Sequence, residues 1–137
     1  MSFDLFVECF GETRRTGLSK ESVRSLFPIS REEPEFDRWV VGYDDLNVSD
    51  IYSSSLDSDP QRLTGFMASR PCGDLRFSDA LFSILEMGSV FIVWPGGKLT
   101  LAFETSVVDL QNEILKDLGP PVFVRSGLEI LDSLEKT

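Results

Sequence analysis

Histidine, the commonest general base, is absent from these 137 residues, so any chemistry must rest on two cysteines, carboxylates, arginines and lysines. That excludes Ser-His-Asp and Cys-His catalysis and histidine-containing zinc sites, and two cysteines are too few for an all-cysteine zinc site. The arrangement closest to a reactive centre is Arg70-Pro-Cys-Gly-Asp74, which sets a thiol beside an arginine and just ahead of a helix start. Such a setting lowers a thiol pKa. No base or second cysteine stands nearby in sequence, and a turn at Pro71-Gly73 with a packed Cys72 accounts for the same residues. Pro95-Gly96-Gly97-Lys98 lacks the spacing and the Ser/Thr of a phosphate-binding loop and precedes a strand, so it reads as a hairpin turn. Asp57-Ser-Asp59 and Asp45-Leu-Asn47 open like calcium loops but lack the glycine and glutamate that such loops need further on. The sequence therefore assigns no catalytic, cofactor-binding or metal-ligating residue, and the expectation is a protein that is not an enzyme.

Charge is the larger chemical signal. A net charge of −10 and a pI near 4.4 repel nucleic acid and anionic membranes and attract basic proteins. Residues 29–60 hold Glu32, Glu33, Glu35, Asp37, Asp44, Asp45, Asp50, Asp57 and Asp59 against only Arg31 and Arg38, which makes seven of the ten net negative charges. Phe36, Trp39, Tyr43 and Tyr52 interleave with them, three of the four being of the types enriched at binding hot spots. The expectation is a surface that docks a basic protein, such as a nuclease whose cleft it would cover. Asp44, Asp45 and Asp50 are the first candidates for contact, with Trp39 and Tyr43 as anchors. If Trp39 is buried, the anchor role passes to Tyr43 or Tyr52.

The elements that must position these groups are centred on residues 74–103. Phe77, Ala80, Leu81, Ile84, Leu85 and Gly88 form one helical stripe, with Asp74 as N-cap and Gly88 as the left-handed residue after the last turn. Val90 to Trp94 is apolar at every position, as in a strand buried on both faces. Pro95-Gly96 suits a type II turn, and Leu99, Leu101 and Phe103 alternate with Thr100 and Ala102 on the return. Upstream, residues 3–10 alternate as a strand with one face partly covered, 11–17 form a polar loop, and Ser19 caps a helix bearing Val23, Leu26 and Phe27. Residues 29–37 read as a charged loop, and strands over 38–43, 48–53 and 62–69 form an antiparallel meander. Downstream, Ser106 caps a helix with Val107, Leu110, Ile114, Leu115 and Leu118 inward. Val122-Phe123-Val124 is a short apolar segment, and Ser126-Gly-Leu-Glu129 opens a helix with Leu128, Leu131 and Leu134 inward.

A hydrophobic fraction of 42% with eleven phenylalanines supports a packed core. No apolar run is long enough to span a bilayer, and residues 1–18 lack a basic start followed by an apolar signal core, which predicts a cytoplasmic protein. The fold class expected is α+β, a single domain with an antiparallel or mixed sheet, a β-meander and three to four helices packed on it.

Arg70-Pro-Cys-Gly-Asp74, Asp79-Ala-Leu-Phe82, Trp94-Pro-Gly96 and Gly119-Pro-Pro-Val122, with the start Ser2-Phe-Asp-Leu-Phe-Val7, resemble a group of small, uncharacterised bacterial cytoplasmic proteins. The resemblance covers most of the chain and implies no particular activity or site. In size, acidity and α+β make-up the chain is also similar to immunity proteins that neutralise bacterial toxins. That likeness implies masking of a basic toxin or other basic partner, with no cofactor. The rival expectation is a small-molecule or enzymatic domain with a pocket between helix 75–87 and the sheet, Arg70 or Cys72 at its mouth. A third is a homodimer joined along a strand edge at residues 3–10.

Overall fold

The structure, a computed structural model, describes residues 1–56, 59–102, 110 and 112–137. Along these residues β1 (Asp4–Cys9) leads into α1 (Gly11–Thr16), β2 (Leu18–Ser19) and α2 (Lys20–Arg24). A meander follows: β3 (Ile29–Glu33), a 3-10 turn (Pro34–Phe36), β4 (Arg38–Gly42), β5 (Val48–Leu56) and β6 (Asp59–Ser69). The C-terminal half comprises α3 (Leu75–Leu85), β7 (Val90–Val93), β8 (Thr100–Ala102), α4 (Asn112–Leu118), β9 (Val122–Val124) and α5 (Gly127–Glu135). The strands form one sheet in the order β3-β4-β5-β6-β1-β7-β8-β9, with β2 paired to β6, and every pairing is antiparallel except β8 with β9. The α+β class, with a mixed sheet and a β-meander, is what the sequence leads one to expect; the described residues hold five helices where three to four were expected.

Burial explains the layering. α3 starts at Asp74, whose carboxylate accepts from the Arg76 amide at 2.9 Å, and it buries Phe77, Leu81, Ile84 and Leu85 completely against the sheet. α5 lies beside it, capped by Ser126, whose hydroxyl accepts from the Glu129 amide at 3.3 Å. On this face the core takes Leu5, Val7, Trp39, Val41, Ile51, Phe66, Ala68, Val90 and Ile92, the inward set of each strand's alternation. A second cluster of Phe10, Phe91, Leu99, Leu101 and Leu110, with Ile114 and Leu115 of α4 against it, covers the opposite face at β7 and β8. This is why β7 has no polar position: both its faces are occupied.

Pro95 and Gly96 make the expected turn, with Gly96 at φ +82° and the Gly97 amide bonded to the Trp94 carbonyl at 3.0 Å. Other expectations are corrected. Residues 11–17 are mostly helix α1, closed by Gly17 at φ +73° and held from outside by Thr13, whose hydroxyl accepts from the Ser89 amide at 2.9 Å. Residues 29–33 are an edge strand rather than a loop, because β4 supplies their partners. Gly88 is not left-handed. A Cβ there would meet the Thr13 hydroxyl at 2.8 Å, so the glycine makes room for α1. Leu99, Thr100, Leu101 and Ala102 are all buried instead of alternating with exposed positions, since both faces of β8 are covered. Leu128 points outward at 53% exposure, and Gly127, Ile130, Leu131 and Leu134 form the buried side of α5. The strand at residues 3–10 offers no edge for a dimer seam, because β1 pairs with β6 on one side and β7 on the other. The expected roles of Phe103, Ser106 and Val107 and the acid Asp57 lie outside the described residues.

α3 and α5 approach each other at Gly127, where an added Cβ would fall 2.6 Å from the backbone N and Cα of Asp79. The Asp79 carboxylate lies nearer still and can turn aside, but the backbone behind it cannot, so Gly127→Ala forces the helices apart. The expected cost is about 1–3 kcal/mol, read as a fall of several degrees in the thermal midpoint; an unchanged midpoint would show that the helices separate freely.

Candidate functional site

The meander is covered on one face only. Trp39, Val41, Ile51, Phe66 and Ala68 point to the helices, while the alternate residues point to a face over which no described element packs. Register assembles the open face in rows. Arg38, Tyr52, Met67, Phe6 and Val93 lie side by side across β4, β5, β6, β1 and β7. Val40, Asp50, Ser69 and Asp4 form the next row, and Gly42 with Val48 leads to the β4–β5 hairpin tip. On the other side, Glu8 leans over Gly65 of β6, where an added Cβ would meet its Oε2 at 2.8 Å.

The candidate contact residues fall in different places. At the tip, the Asp44 carboxylate accepts from the amides of Leu46 and Asn47 at 2.9 and 2.8 Å and from the Asn47 side chain. These bonds hold its pKa below the usual carboxylate value, so Asp44 is a turn former as well as a charge. Asp45 beside it is exposed, and Leu46 is 93% exposed. Asp50 lies on the open face and accepts from Arg38 at 3.0 Å, while Arg38 also reaches Glu33 at 3.5 Å. Asp50 thus presents a carboxylate whose charge is already shared.

Trp39 is corrected as an anchor: at 4% exposure it is a core residue, set inward by the alternation of β4. Tyr43 is half-buried on the helix side, with the Arg76 guanidinium 4.9 Å from its ring centroid. Its hydroxyl is buried with no hydrogen-bond partner among the described residues, and burial, with Cys72 and Asp74 adding to it, pushes the phenol up to about 12. Of the two tyrosines, Tyr52 is therefore the one that shares a face with Asp50. Phe6 and Met67 went unrecognised in the sequence. The signal for Phe6 was an aromatic on the polar side of β1's alternation.

Cys72, expected at the mouth of a pocket, packs into the main core cluster. Cys72 is 5% exposed, and its amide donates to the Ser49 hydroxyl at 2.9 Å, which in turn donates to the Arg70 carbonyl at 3.0 Å. Arg70 is exposed, in a left-handed conformation at φ +53°. Both cysteines are free and buried; burial and the neighbouring Glu8 carboxylate push the Cys9 thiol up to about 12. A cleft of about 540 Å³ does open between α2 and β3–β4, but its lining alternates Lys20, Arg24 and Arg38 with Glu21, Glu32 and Asp37, and Arg24 is bonded to Glu32 at 2.6 Å. No helix of the described residues is long and apolar enough to cross a membrane. Comparison with protein-family models, curated proteins and solved structures finds no match to this chain.

Burial raises the Glu8 pKa above 4.5, with Arg14 partly opposing the shift. The fold therefore gains stability as pH falls through the raised value towards 4.5 and loses it as pH rises again. Glu8→Gln should raise the thermal midpoint at neutral pH by about 1–3 °C, with the difference disappearing below the carboxylate range. A variant no more stable than the parent at neutral pH would contradict this assignment.

Proposed function

We propose that this protein is a non-enzymatic binding module that masks a basic protein partner, in the way an immunity protein covers a basic toxin. One observation carries the reading. No described element packs over one side of the meander, and that side and its hairpin tip gather Leu46, Val48, Tyr52, Met67 and Phe6 among Asp4, Glu8, Asp44, Asp45 and Asp50. Asp4 and Asp45 form no ion pair among the described residues. Exposed apolar side chains ringed by surplus negative charge suit a partner whose own patch is apolar at the centre and rich in lysine and arginine at the rim. Masking requires no proton transfer, which fits a chain without histidine. The reading includes action in the cytoplasm, supported by the two buried free thiols.

Asp44 is unsuited to a charge-reversal test, because its removal would dissolve the turn that presents its neighbours. Asp45→Lys combined with Leu46→Ala leaves the turn intact. The immobilised protein is expected to retain a basic protein at low salt and release it at high salt, and to suppress that protein's activity at equal stoichiometry. The double variant should bind about tenfold more weakly and with a flatter salt dependence. Retention of no basic protein at low salt, or retention that ignores salt, would overturn the proposal.

A further inference from the structure

The row Tyr52, Met67, Phe6 and Val93 crosses four adjacent strands, so it spans three strand spacings, about 14 Å. Phe6 is 37% exposed and Tyr52 and Met67 are half-buried with no described element packed over them, while Val93 is half-buried against the second cluster. Arg38, its guanidinium 5.9 Å from the Tyr52 ring centroid, closes one end; Val93, packed on the second cluster, closes the other. Carboxylates stand two residues along the strands on either side, about 7 Å from the row: Asp50 and Asp4 on one flank, Glu8 on the other. An α-helix is about 10–12 Å across with its side chains and rises about 5.4 Å per turn. Three successive turns of an apolar stripe match the row, and basic residues on the two shoulders of the helix come to rest over the flanking carboxylates. A second copy of this chain is a poor occupant, since it would set the same carboxylates against one another at −10 net charge each.

Resting on the masking reading above, we infer that this row seats a cationic amphipathic helix of the partner, its apolar stripe along Tyr52, Met67, Phe6 and Val93 and its lysines or arginines over Asp4, Asp50 and Glu8. The negative flanks set register and orientation; the row supplies the apolar contact. The hairpin tip then acts as a second, separate contact.

The probe is a leucine–lysine peptide of about 18 residues, five helical turns, with its leucines on one face. A peptide of the same composition with the leucines dispersed around the helix is the first control, and a leucine–glutamate analogue is the second. Amide shifts of the full chain are followed during titration. The patterned cationic peptide is expected to bind, to weaken at high salt, and to shift amides of β1, β5 and β6. Phe6→Ser and Asp4→Lys, both at positions outside the core, should each weaken it about tenfold while leaving the thermal midpoint near that of the parent. Equal binding by the dispersed peptide, shifts confined to residues 43–48, or undiminished binding by both variants overturns the row and leaves the masking reading standing. So does self-association that protects the same amides without peptide. The masking reading falls with it only if basic proteins also fail to be retained by the immobilised chain.

Discussion

Among the described residues the sheet is covered on both faces at one end and on one face at the other, and the proposed binding face rests on that asymmetry. At β7 and β8 the helices α3 and α5 lie on one side and α4 on the other, so every residue of β8 is buried. From β4 to β1 only the helical side is closed. A sheet face without a covering layer must carry side chains tolerable in water, yet Phe6, Met67 and Tyr52 sit in its centre between carboxylates. Those residues are costly to leave solvated and add little to the fold. On the masking proposal, something covers them.

Electrostatics narrows what that something is. Some of the chain's excess carboxylates are spent within the fold: Glu32 on Arg24, Glu33 and Asp50 on Arg38, Asp74 on Arg76. Such solvent-screened pairs add little stability, but they fix where negative charge is locally balanced. Asp4 and Asp45 are left beside the apolar residues without an ion pair among the described residues.

Legibility in the sequence followed the locality of the signal. α3, β7 and the turn at Pro95-Gly96 were readable because Asp74, the apolar stripe and the glycine each act on their immediate neighbours. β3 was not, since Ile-Ser-Arg-Glu-Glu has no apolar alternation and becomes a strand only through β4 and the Arg38 ion pairs. α1 buries nothing and has no side-chain cap, so its anchor, the bond between Thr13 and Ser89, lies 76 residues away. Gly88 showed a correct residue with the wrong reason: it supplies clearance for Thr13 instead of a left-handed turn. At the site, the acids were legible as composition. The tip's Leu46 and the row through Phe6 and Met67 were not, because strand register joins residues some 60 positions apart and no local pattern records it.

The placement of β1 has a consequence for how the chain comes into being. Residues 4–9 leave the ribosome before their hydrogen-bond partners, residues 65–69 and 90–93. The meander from β3 to β6 closes through short connections and is available early, whereas the slot between β6 and β7 stays empty until about two-thirds of the chain has been made. During that interval two strand edges and the apolar side of β1 stand unprotected. A strand made before both of its neighbours is the keystone between them, and β6 and β7 become parts of one sheet only when it is in place.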